Sequence, residues 1–237
     1  MTVIEVDGLR KNYRTRAAVD GISLRVERGQ IVGIAGANGA GKTTLVECLS
    51  GLRRRDGGEL RVLGMDPWTQ RRALQQRIGV QLQESALPDA LRVGEAFRLY
   101  AGLYDRGDWR TVMTDWELAD KQRMRFGNLS GGWKQRLFVA LALVGDPEVV
   151  FLDELTTGLD PVARRTTWTM LRKLRERGLT VVLVTHFMDE AEALCDRVVV
   201  VGGGRVIASG TPAELVAQTG TDSLESAYLA ISETELS

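Results

Sequence analysis

A glycine-rich loop between two apolar segments constrains the fold of this chain more than any other feature. The loop, GANGAGKT at Gly36–Thr43, fits the pattern G-x-x-x-x-G-K-[ST]. The preceding run QIVGIAG predicts a buried strand, and KTTLVECLSGL predicts a helix that ends at Gly51. This order directs backbone N–H groups and a helix N-terminus at phosphate oxygens. We therefore expect a bound nucleotide, with Lys42 bridging its β- and γ-phosphates and Thr43 ligating Mg²⁺.

Further apolar runs predict the sheet around this loop. RIGVQLQ from Arg77, EVVFLDE from Glu148 and LTVVLVTH from Leu179 lack polar alternation, which is typical of strands covered on both faces. Helical segments separate these runs, and this alternation predicts a parallel α/β sheet. TVIEV and ISLRV alternate apolar and polar residues and predict half-buried strands. RVVVVGGGRVIASG, two β-branched runs around three glycines, predicts a hairpin.

The middle of the chain reads as helical. Apolar residues recur at helical spacing from Val93 to Tyr104, and a second helix is predicted from Gly131 to Val144. The segment after Thr211 is also predicted to be helical and amphipathic. We therefore expect one domain, in which residues 1–86 and 146–210 form the nucleotide-binding α/β core with its β subdomain. Residues 87–145 form an inserted helical unit, and residues 211–237 form a helical tail.

Composition limits the classes of partner. The chain has 237 residues, and its 31 Lys and Arg balance its 31 Asp and Glu, which argues against holding nucleic acid by overall charge. Cys48 and Cys195 lie far apart among apolar neighbours, as is typical of core residues in a reducing compartment. No run has signal-peptide character or the length of a membrane span, since LFVALALV has only eight residues. We expect a cytosolic chain that reaches any membrane through a partner.

Two carboxylates end the run VVFLDE. Asp153 is expected to hold Mg²⁺ through its water shell, and Glu154 to polarise the attacking water. Acidic residues at a strand end can also be solvated caps, but pairing with a phosphate-binding loop disfavours that interpretation.

Two more polar residues end predicted strands. His186, the chain's one histidine, follows VVLVT, and Gln83 ends IGVQLQ. A lone histidine is more often structural than catalytic. Here, however, the predicted strands bring the loop, the carboxylates, Gln83 and His186 to one sheet edge, where open α/β sheets bind ligands.

A second glycine-rich stretch, NLSGGWKQR, raises the question of why one chain needs two. Ser130 can cap a helix that begins at Gly131, and Gly131 and Gly132 leave its first turn uncovered. The stretch is therefore a predicted second anion site. It makes sense if it meets the γ-phosphate of a nucleotide held by another copy of the chain.

With these motifs in this order, nearly the whole sequence resembles the nucleotide-binding subunit of an ATP-binding-cassette (ABC) transporter. The resemblance implies an α/β P-loop NTPase fold with a RecA-like, mostly parallel sheet, an N-terminal antiparallel β subdomain and an inserted helical subdomain. It also implies that Tyr13 stacks on adenine, that Gln83 touches both the metal site and the membrane partner, and that Asp160 lies in the D-loop GLD. His186 matches the family's switch histidine.

The resemblance gives complete sets of expected site residues. The nucleotide-binding set is Tyr13, Gly36, Ala37, Asn38, Gly39, Ala40, Gly41, Lys42, Thr43, Thr44, Ser130, Gly131, Gly132 and Asp160. The catalytic set is Glu154, His186 and Gln83. The metal set is Thr43, Gln83 and Asp153. Two positions depart from the family pattern, because Trp133 replaces the signature glutamine and Leu155 replaces the proline after Glu154.

The runs IGVQLQES, THFMDEAEALCDRVVVV and LESAYLAIS further resemble exporter ATPases that pair with ABC-2-type permeases. This resemblance implies an ATPase that uses ATP and Mg²⁺ and pairs, when bound to ATP, with a second copy or a second ATPase subunit. It implies a location on the cytoplasmic face of the plasma membrane, through a permease, with no nucleic acid partner. The cargo would be a drug or another small hydrophobic compound.

Two alternatives belong to other classes. A soluble ABC-type ATPase acting on DNA or ribosomes would carry a long coiled coil or a second cassette, and this sequence has one P-loop and no heptad run. An unrelated P-loop kinase or GTPase would leave LSGGW unexplained.

Overall fold

The computed structural model describes residues 1–14, 16–82, 85–156 and 158–236, with the backbone alone for 234–236. The strands are β1 (Thr2–Tyr13), β2 (Arg16–Glu27), β3 (Ile31–Ala35), β4 (Gly57–Val62), β5 (Ile78–Gln81), β6 (Val149–Asp153), β7 (Thr180–Val184), β8 (Arg197–Gly202) and β9 (Arg205–Gly210). The helices are α1 (Lys42–Leu49), α2 (Arg71–Gln75), α3 (Val93–Ala101), α4 (Trp109–Asp115), α5 (Gly131–Leu143), α6 (Pro161–Glu176), α7 (Met188–Leu194), α8 (Pro212–Thr219) and α9 (Leu224–Leu236). Two 3₁₀ turns, Ala119–Lys121 and Phe126–Asn128, lie between α4 and α5.

A six-stranded sheet forms the centre of the molecule. Its strand order is β5-β6-β7-β3-β8-β9, and neighbouring strands are parallel except for the antiparallel pair of β8 and β9. This arrangement confirms the predicted α/β fold with a mostly parallel sheet, and it confirms the predicted hairpin. Gly203 and Gly204 form the hairpin turn with positive φ angles of 48° and 80°.

Both faces of this sheet are covered. Successive residues of β3 alternate between two hydrophobic clusters, so that Ile31 and Ala35 join one cluster while Val32 and Ile34 join the other. The same alternation continues through β6 and β7. Because each face packs against a core, every position of these strands favours an apolar residue. This explains why the sequence shows continuous apolar runs there.

A smaller antiparallel sheet, in the order β2-β1-β4, lies at the N-terminal side of the fold. Its first two strands were predicted from alternating patterns, and the antiparallel N-terminal sheet is confirmed. The third strand, β4, was not predicted, because GGELRV begins with two glycines beside the basic run Arg53–Arg55. Only Leu60 and Val62 of β4 are buried, so the strand carries a weak apolar signal.

Helices α3, α4 and α5 occupy the chain between β5 and β6. The sequence predicted α3 and α5 but not α4. The helix expected to reach Tyr104 ends at Ala101, where Gly102 caps it, and α5 ends at Leu143. Most of the second half of α5 is buried against the core. None of the helices in the described residues is both long and apolar enough to cross a bilayer. The division of the chain into units at residues 86, 145 and 210 stays a prediction.

Candidate functional site

The loop Gly36–Thr43 links the buried strand β3 to the first turn of α1. Gly36 and Gly41 have backbone φ angles of 155° and 107°, which residues with a side chain rarely adopt. A Cβ atom on Gly36 would lie 2.2 Å from the Val201 carbonyl oxygen, and one on Gly41 would lie 2.1 Å from the Ala18 carbonyl oxygen. Glycine is therefore required at both positions so that the loop can curl tightly over the N-terminus of α1.

The ammonium group of Lys42 lies inside this loop. Its Nζ donates hydrogen bonds to the carbonyl oxygens of Gly36, at 2.8 Å, and Ala37, at 3.0 Å. Burial lowers the pKa of Lys42, whereas the nearby carboxylates of Glu154 and Asp153 act in the opposite direction. A buried cation held by loop carbonyls, at a helix N-terminus, forms a site with strong attraction for phosphate oxygens.

Asp153 provides the test of whether the residues fit a magnesium ion. Its carboxyl group is buried, and Oδ2 accepts a hydrogen bond from Thr43 Oγ1 at 3.4 Å. Its Oδ1 is buried and has no hydrogen-bond partner among the described residues. Burial raises the pKa of Asp153 to about 6, and the charge of Glu154 adds to the rise. A hydroxyl and an orphaned carboxylate oxygen are ligands that Mg²⁺ prefers, so the residues fit this ion.

Glu154 and His186 follow the neighbouring strands β6 and β7. Glu154 Oε1 lies 3.4 Å from His186 Nδ1, and the Glu154 amide donates to the Val184 carbonyl oxygen at 2.9 Å. Glu154 has a φ of 51°, which is unusual for a residue with a side chain. Strained backbone of this kind is frequent at functional sites.

Lys42, Glu154 and His186 line one cleft of about 670 Å³. Asp153 does not line it but is hydrogen-bonded to Thr43, which does. The walls of the cleft contain Tyr13, Arg16, Ala18, Gly36, Ala37, Asn38, Gly39, Gly41, Lys42, Thr43, Thr44, Glu154, His186 and Tyr228. Two other hollows are nearly as large, at about 620 and 630 Å³, but neither contains the phosphate-binding loop. Chemistry rather than size therefore marks the candidate site.

The aromatic wall of the cleft contains one expected residue and one unexpected residue. Tyr13 is 39% exposed, and the guanidinium carbon of Arg53 lies 5.1 Å from its ring centroid. Tyr228, on α9, lines the same cleft but was not predicted as a site residue. Arg16 was also missed, although its Nη2 donates to the Gly39 carbonyl oxygen at 2.8 Å. The sequence carries no motif signal for either of these two residues.

The second glycine-rich stretch lies in a separate hollow of about 230 Å³. Ser130, Gly132, Trp133, Arg136 and Asp160 are among the residues that line it. In the described part of the chain, this hollow and the larger cleft share no lining residue. The structure therefore does not bring the two predicted anion sites together within one chain.

Ser130 occupies the N-cap position of α5, as predicted, but its side chain accepts no capping hydrogen bond from the described first turn. The N-terminus of α6 differs. There Asp160 Oδ1 accepts hydrogen bonds from the amides of Val162, at 2.9 Å, and Ala163, at 3.0 Å. Asp160 is thus a helix cap, and its expected contact with a nucleotide stays a prediction.

The two departures from the family pattern both pack within the chain. Trp133 lies against the hydrophobic core, with Lys121 Nζ 4.1 Å and Arg136 Cζ 4.3 Å from its ring centroid. Leu155 is fully buried. Gln83, the remaining predicted site residue, lies outside the described residues. The structure thus gathers the P-loop, Asp153, Glu154 and His186 at one sheet edge, while their roles stay predictions.

Comparison with known proteins places these features in context. A family model described as "ABC transporter" matches residues 19–157. The daunorubicin resistance ATP-binding protein DrrA3 of Streptomyces coeruleorubidus is 44% identical over 230 residues, which cover 94% of this chain and 73% of that protein. The Nod factor export ATP-binding protein I of Rhizobium etli is 40% identical over 222 residues, 91% of this chain and 70% of that protein.

A solved structure agrees with these relatives. The dimeric structure of MJ0796, a bacterial ABC transporter cassette, superposes with a TM-score of 0.78 at 25% identity, covering 88% of this chain and 98% of that chain. The similarity confirms the predicted P-loop NTPase fold.

Proposed function

The chain belongs to the ABC transporter family as an ATP-hydrolysing subunit, and from this we propose that ATP-driven pairing of two such subunits powers a membrane exporter. The observation that carries the proposal is the separation of the two glycine-rich sites. The P-loop cleft contains the lysine, the Glu154 carboxylate and the histidine, whereas the signature hollow contains Ser130 and the N-terminus of α5. Each is half of a site, and two copies arranged head to tail complete both halves.

Within the cleft, binding of ATP rests on groups already in place. The triphosphate lies along the loop, where Lys42 exchanges its two carbonyl partners for the β- and γ-phosphate oxygens. Tyr13 stacks on the base, and the backbone amides of Gly36–Thr44 donate to the phosphates. Thr43, Asp153 and Gln83 would hold Mg²⁺, which would neutralise phosphate charge. The signature residues Ser130, Gly131 and Gly132 of the second subunit close over the γ-phosphate.

Hydrolysis follows from the geometry of Glu154 and His186. The Glu154 carboxylate orients a water molecule and accepts its proton as the water oxygen attacks the γ-phosphorus, and the bond to the β-γ bridging oxygen breaks. His186, 3.4 Å from Glu154, holds that carboxylate in position and faces the γ-phosphate. Loss of the γ-phosphate removes the group that the signature of the second subunit contacts, and the subunits separate.

The export role rests on the relatives. Two relatives are named for daunorubicin resistance and for Nod factor export, which supports a small, partly hydrophobic cargo. We propose that a separate ABC-2-type permease carries the cargo and holds this subunit, as a homodimer or a heterodimer, at the cytoplasmic face of the plasma membrane. Residues 87–145 and the Gln83 loop transmit closure to the permease. The zero formal charge gives no support for a nucleic acid partner.

Glu154→Gln tests this proposal. The amide keeps the shape of the side chain but cannot accept the proton, so turnover should fall by about 10²–10⁴-fold while ATP still binds. The variant should then accumulate as an ATP-bound dimer, which gel filtration with light scattering detects. Glu192→Gln, an exposed change on α7, is the matched control. An active, monomeric Glu154→Gln variant would contradict both the role of Glu154 and ATP-driven pairing.

A further inference from the structure

A buried carboxyl group lies behind the Glu154–His186 pair and has no part in the function described above. Glu190, on α7, is completely buried. It comes four residues after His186, on the short helix that follows the loop after β7. Full burial of a glutamate is rare and costly unless its oxygens find partners.

The partners of Glu190 come from α6 and from the segments that carry the two proposed catalytic residues. Trp168 Nε1, on α6, donates a hydrogen bond to Glu190 Oε1 at 3.1 Å. The side chains of Thr185 and Thr156 also lie against the carboxyl group. Thr185 immediately precedes His186, and Thr156 comes two residues after Glu154. The side chains of Thr156, Thr185 and Glu190 are fully buried.

Two atoms in this cluster lack partners in the described part of the chain. They are Glu190 Oε2 and Thr156 Oγ1, both buried. An ionised carboxylate can only accept hydrogen bonds, whereas a protonated one also donates. One hydrogen bond between Glu190 Oε2 and Thr156 Oγ1 would satisfy both atoms, and either group could donate it. A protonated carboxyl group makes this bond without leaving a charge in a fully buried site, where the Trp168 indole that donates to Oε1 is also neutral. Burial raises the pKa of Glu190, and the three side chains that contact it only partly oppose the rise.

We propose that Glu190 is a positioning residue which, as a neutral carboxylic acid, ties Thr156 and Thr185 to Trp168 of α6. Through these hydrogen bonds it fixes the backbone segments that carry Glu154 and His186. The proposal rests on the roles assigned above to Glu154 and His186. It adds to them a cause for their mutual placement, since each of the two segments is anchored to the same buried group.

A second set of contacts joins α6 to the same region. Arg164 Nη1 pairs with Asp189 Oδ2 at 2.9 Å, and its guanidinium carbon lies 4.8 Å from the Phe187 ring centroid. Helix α6 begins beside Asp160, in the signature hollow. The helix therefore connects the surface proposed to face the other subunit with the pair proposed to activate water. Movement of α6 on pairing would reach Glu154 and His186 through the Glu190 cluster.

The test compares Glu190→Gln with Glu190→Leu. The glutamine amide keeps one acceptor for Trp168 and one donor for Thr156, so this variant should retain at least about half of the wild-type kcat. The leucine keeps the volume but neither hydrogen bond. Because small displacements of reacting groups are costly, we expect its kcat to fall about 10-fold or more while the KM for ATP stays within about 2-fold. Glu192→Leu, on the exposed side of α7, is the matched control.

Each result decides the proposal. A Glu190→Gln variant as impaired as Glu190→Leu would show that the ionised form is needed and would overturn the neutral tie. Wild-type kcat in Glu190→Leu would overturn the positioning role. If Glu190→Leu fails to fold by circular dichroism, Thr156→Val and Trp168→Phe decide, since each removes one hydrogen bond and keeps most of the volume. These two variants should lower kcat about 3-fold at unchanged KM, and unchanged kcat in both would overturn the proposal.

Glu154→Gln, measured in parallel, separates this inference from the function on which it rests. If Glu154→Gln keeps full turnover, the assigned role of Glu154 has failed. If Glu154→Gln is inactive while the Glu190 variants are fully active, only the positioning role has failed.

Discussion

The two glycine-rich stretches, Gly36–Thr43 and Ser130–Trp133, lead into the first turns of α1 and α5. Around the first, the chain supplies its own cation, Lys42. It also supplies the carboxylate of Asp153, whose Oδ1 has no hydrogen-bond partner among the described residues. Around the second, the hollow contains a helix N-terminus, a serine hydroxyl that caps nothing in the described first turn, and the side chain of Arg136.

The comparison teaches that two similar local sequences can differ in the charged groups that the fold places around them. A helix N-terminus attracts an anion with only about half an elementary charge, so a second group must fix the ligand. The P-loop has that group within its own chain. Arg136, which lines the signature hollow, is already paired with Glu117 at 2.5 Å. This difference is why we propose that the signature depends on a nucleotide brought by another subunit.

The largest effect is expected from removing the cation that distinguishes the P-loop. Lys42→Ala deletes the group that neutralises phosphate charge both in bound ATP and in the transition state. Turnover should fall by at least about 10²–10³-fold, and the affinity for ATP should fall with it. Steady-state hydrolysis and equilibrium nucleotide binding measure the two effects. Lys173→Ala, on the exposed side of α6, should behave as wild type, and near-normal turnover of Lys42→Ala would refute the P-loop assignment.

A smaller effect should come from the aromatic wall of the cleft. Stacking on Tyr13 stabilises bound ATP and the transition state equally, so Tyr13→Ala should raise the KM by about 2- to 10-fold. The kcat should stay close to wild type, and GTP should be accepted to some degree because stacking reads any base. Tyr13→Phe keeps the ring and should retain the wild-type KM. A loss of turnover at saturating ATP would count against stacking.

The smallest effect concerns the unusual signature residue. Trp133 packs on its own helical segment between Lys121 and Arg136, so Trp133→Gln should cost about 1 kcal/mol of stability. In a chain of this length, such a loss lowers Tm by about 2–4 °C. ATP-driven pairing should not increase. Trp68→Gln, at an exposed tryptophan, is the control, and altered pairing at unchanged Tm would instead place Trp133 against the other subunit's nucleotide.

The features that the sequence predicted well are those in which a local pattern and the fold agree. The strands β3, β6 and β7 show continuous apolar runs because both sheet faces are covered, and the P-loop glycines are needed for local backbone geometry. The loops after these strands then meet at one edge as a consequence of parallel order.

The features that the sequence missed depend on contacts between distant segments. Arg16 and Tyr228 enter one cleft from opposite ends of the chain, and no local pattern records that. Strand β4 was missed because it buries only two side chains. Glu190 looks like a surface charge on an acidic helix, and only tertiary packing shows that it is buried. The capping bond expected of Ser130 is absent from the described first turn.

The central claim is that the signature serves a nucleotide held by the other subunit, and mixing two damaged variants tests it most directly. Lys42→Ala spoils the P-loop, and Ser130→Arg blocks the signature. A mixed dimer has one doubly damaged site and one intact site, which joins Ser130 of the first variant to Lys42 of the second. ATP-dependent pairing, absent from each variant alone, should therefore return on mixing.

Pairing is measured by pull-down of one tagged variant with the other, after subunit exchange has been verified with tagged and untagged wild type. Gln218→Arg, which adds the same charge at an exposed position, should pair as wild type and shows that an added arginine alone is harmless. Regained ATP-dependent pairing in the mixture is the result that we predict. Verified exchange with no regained pairing would contradict the composite site and the distinction between the two loops.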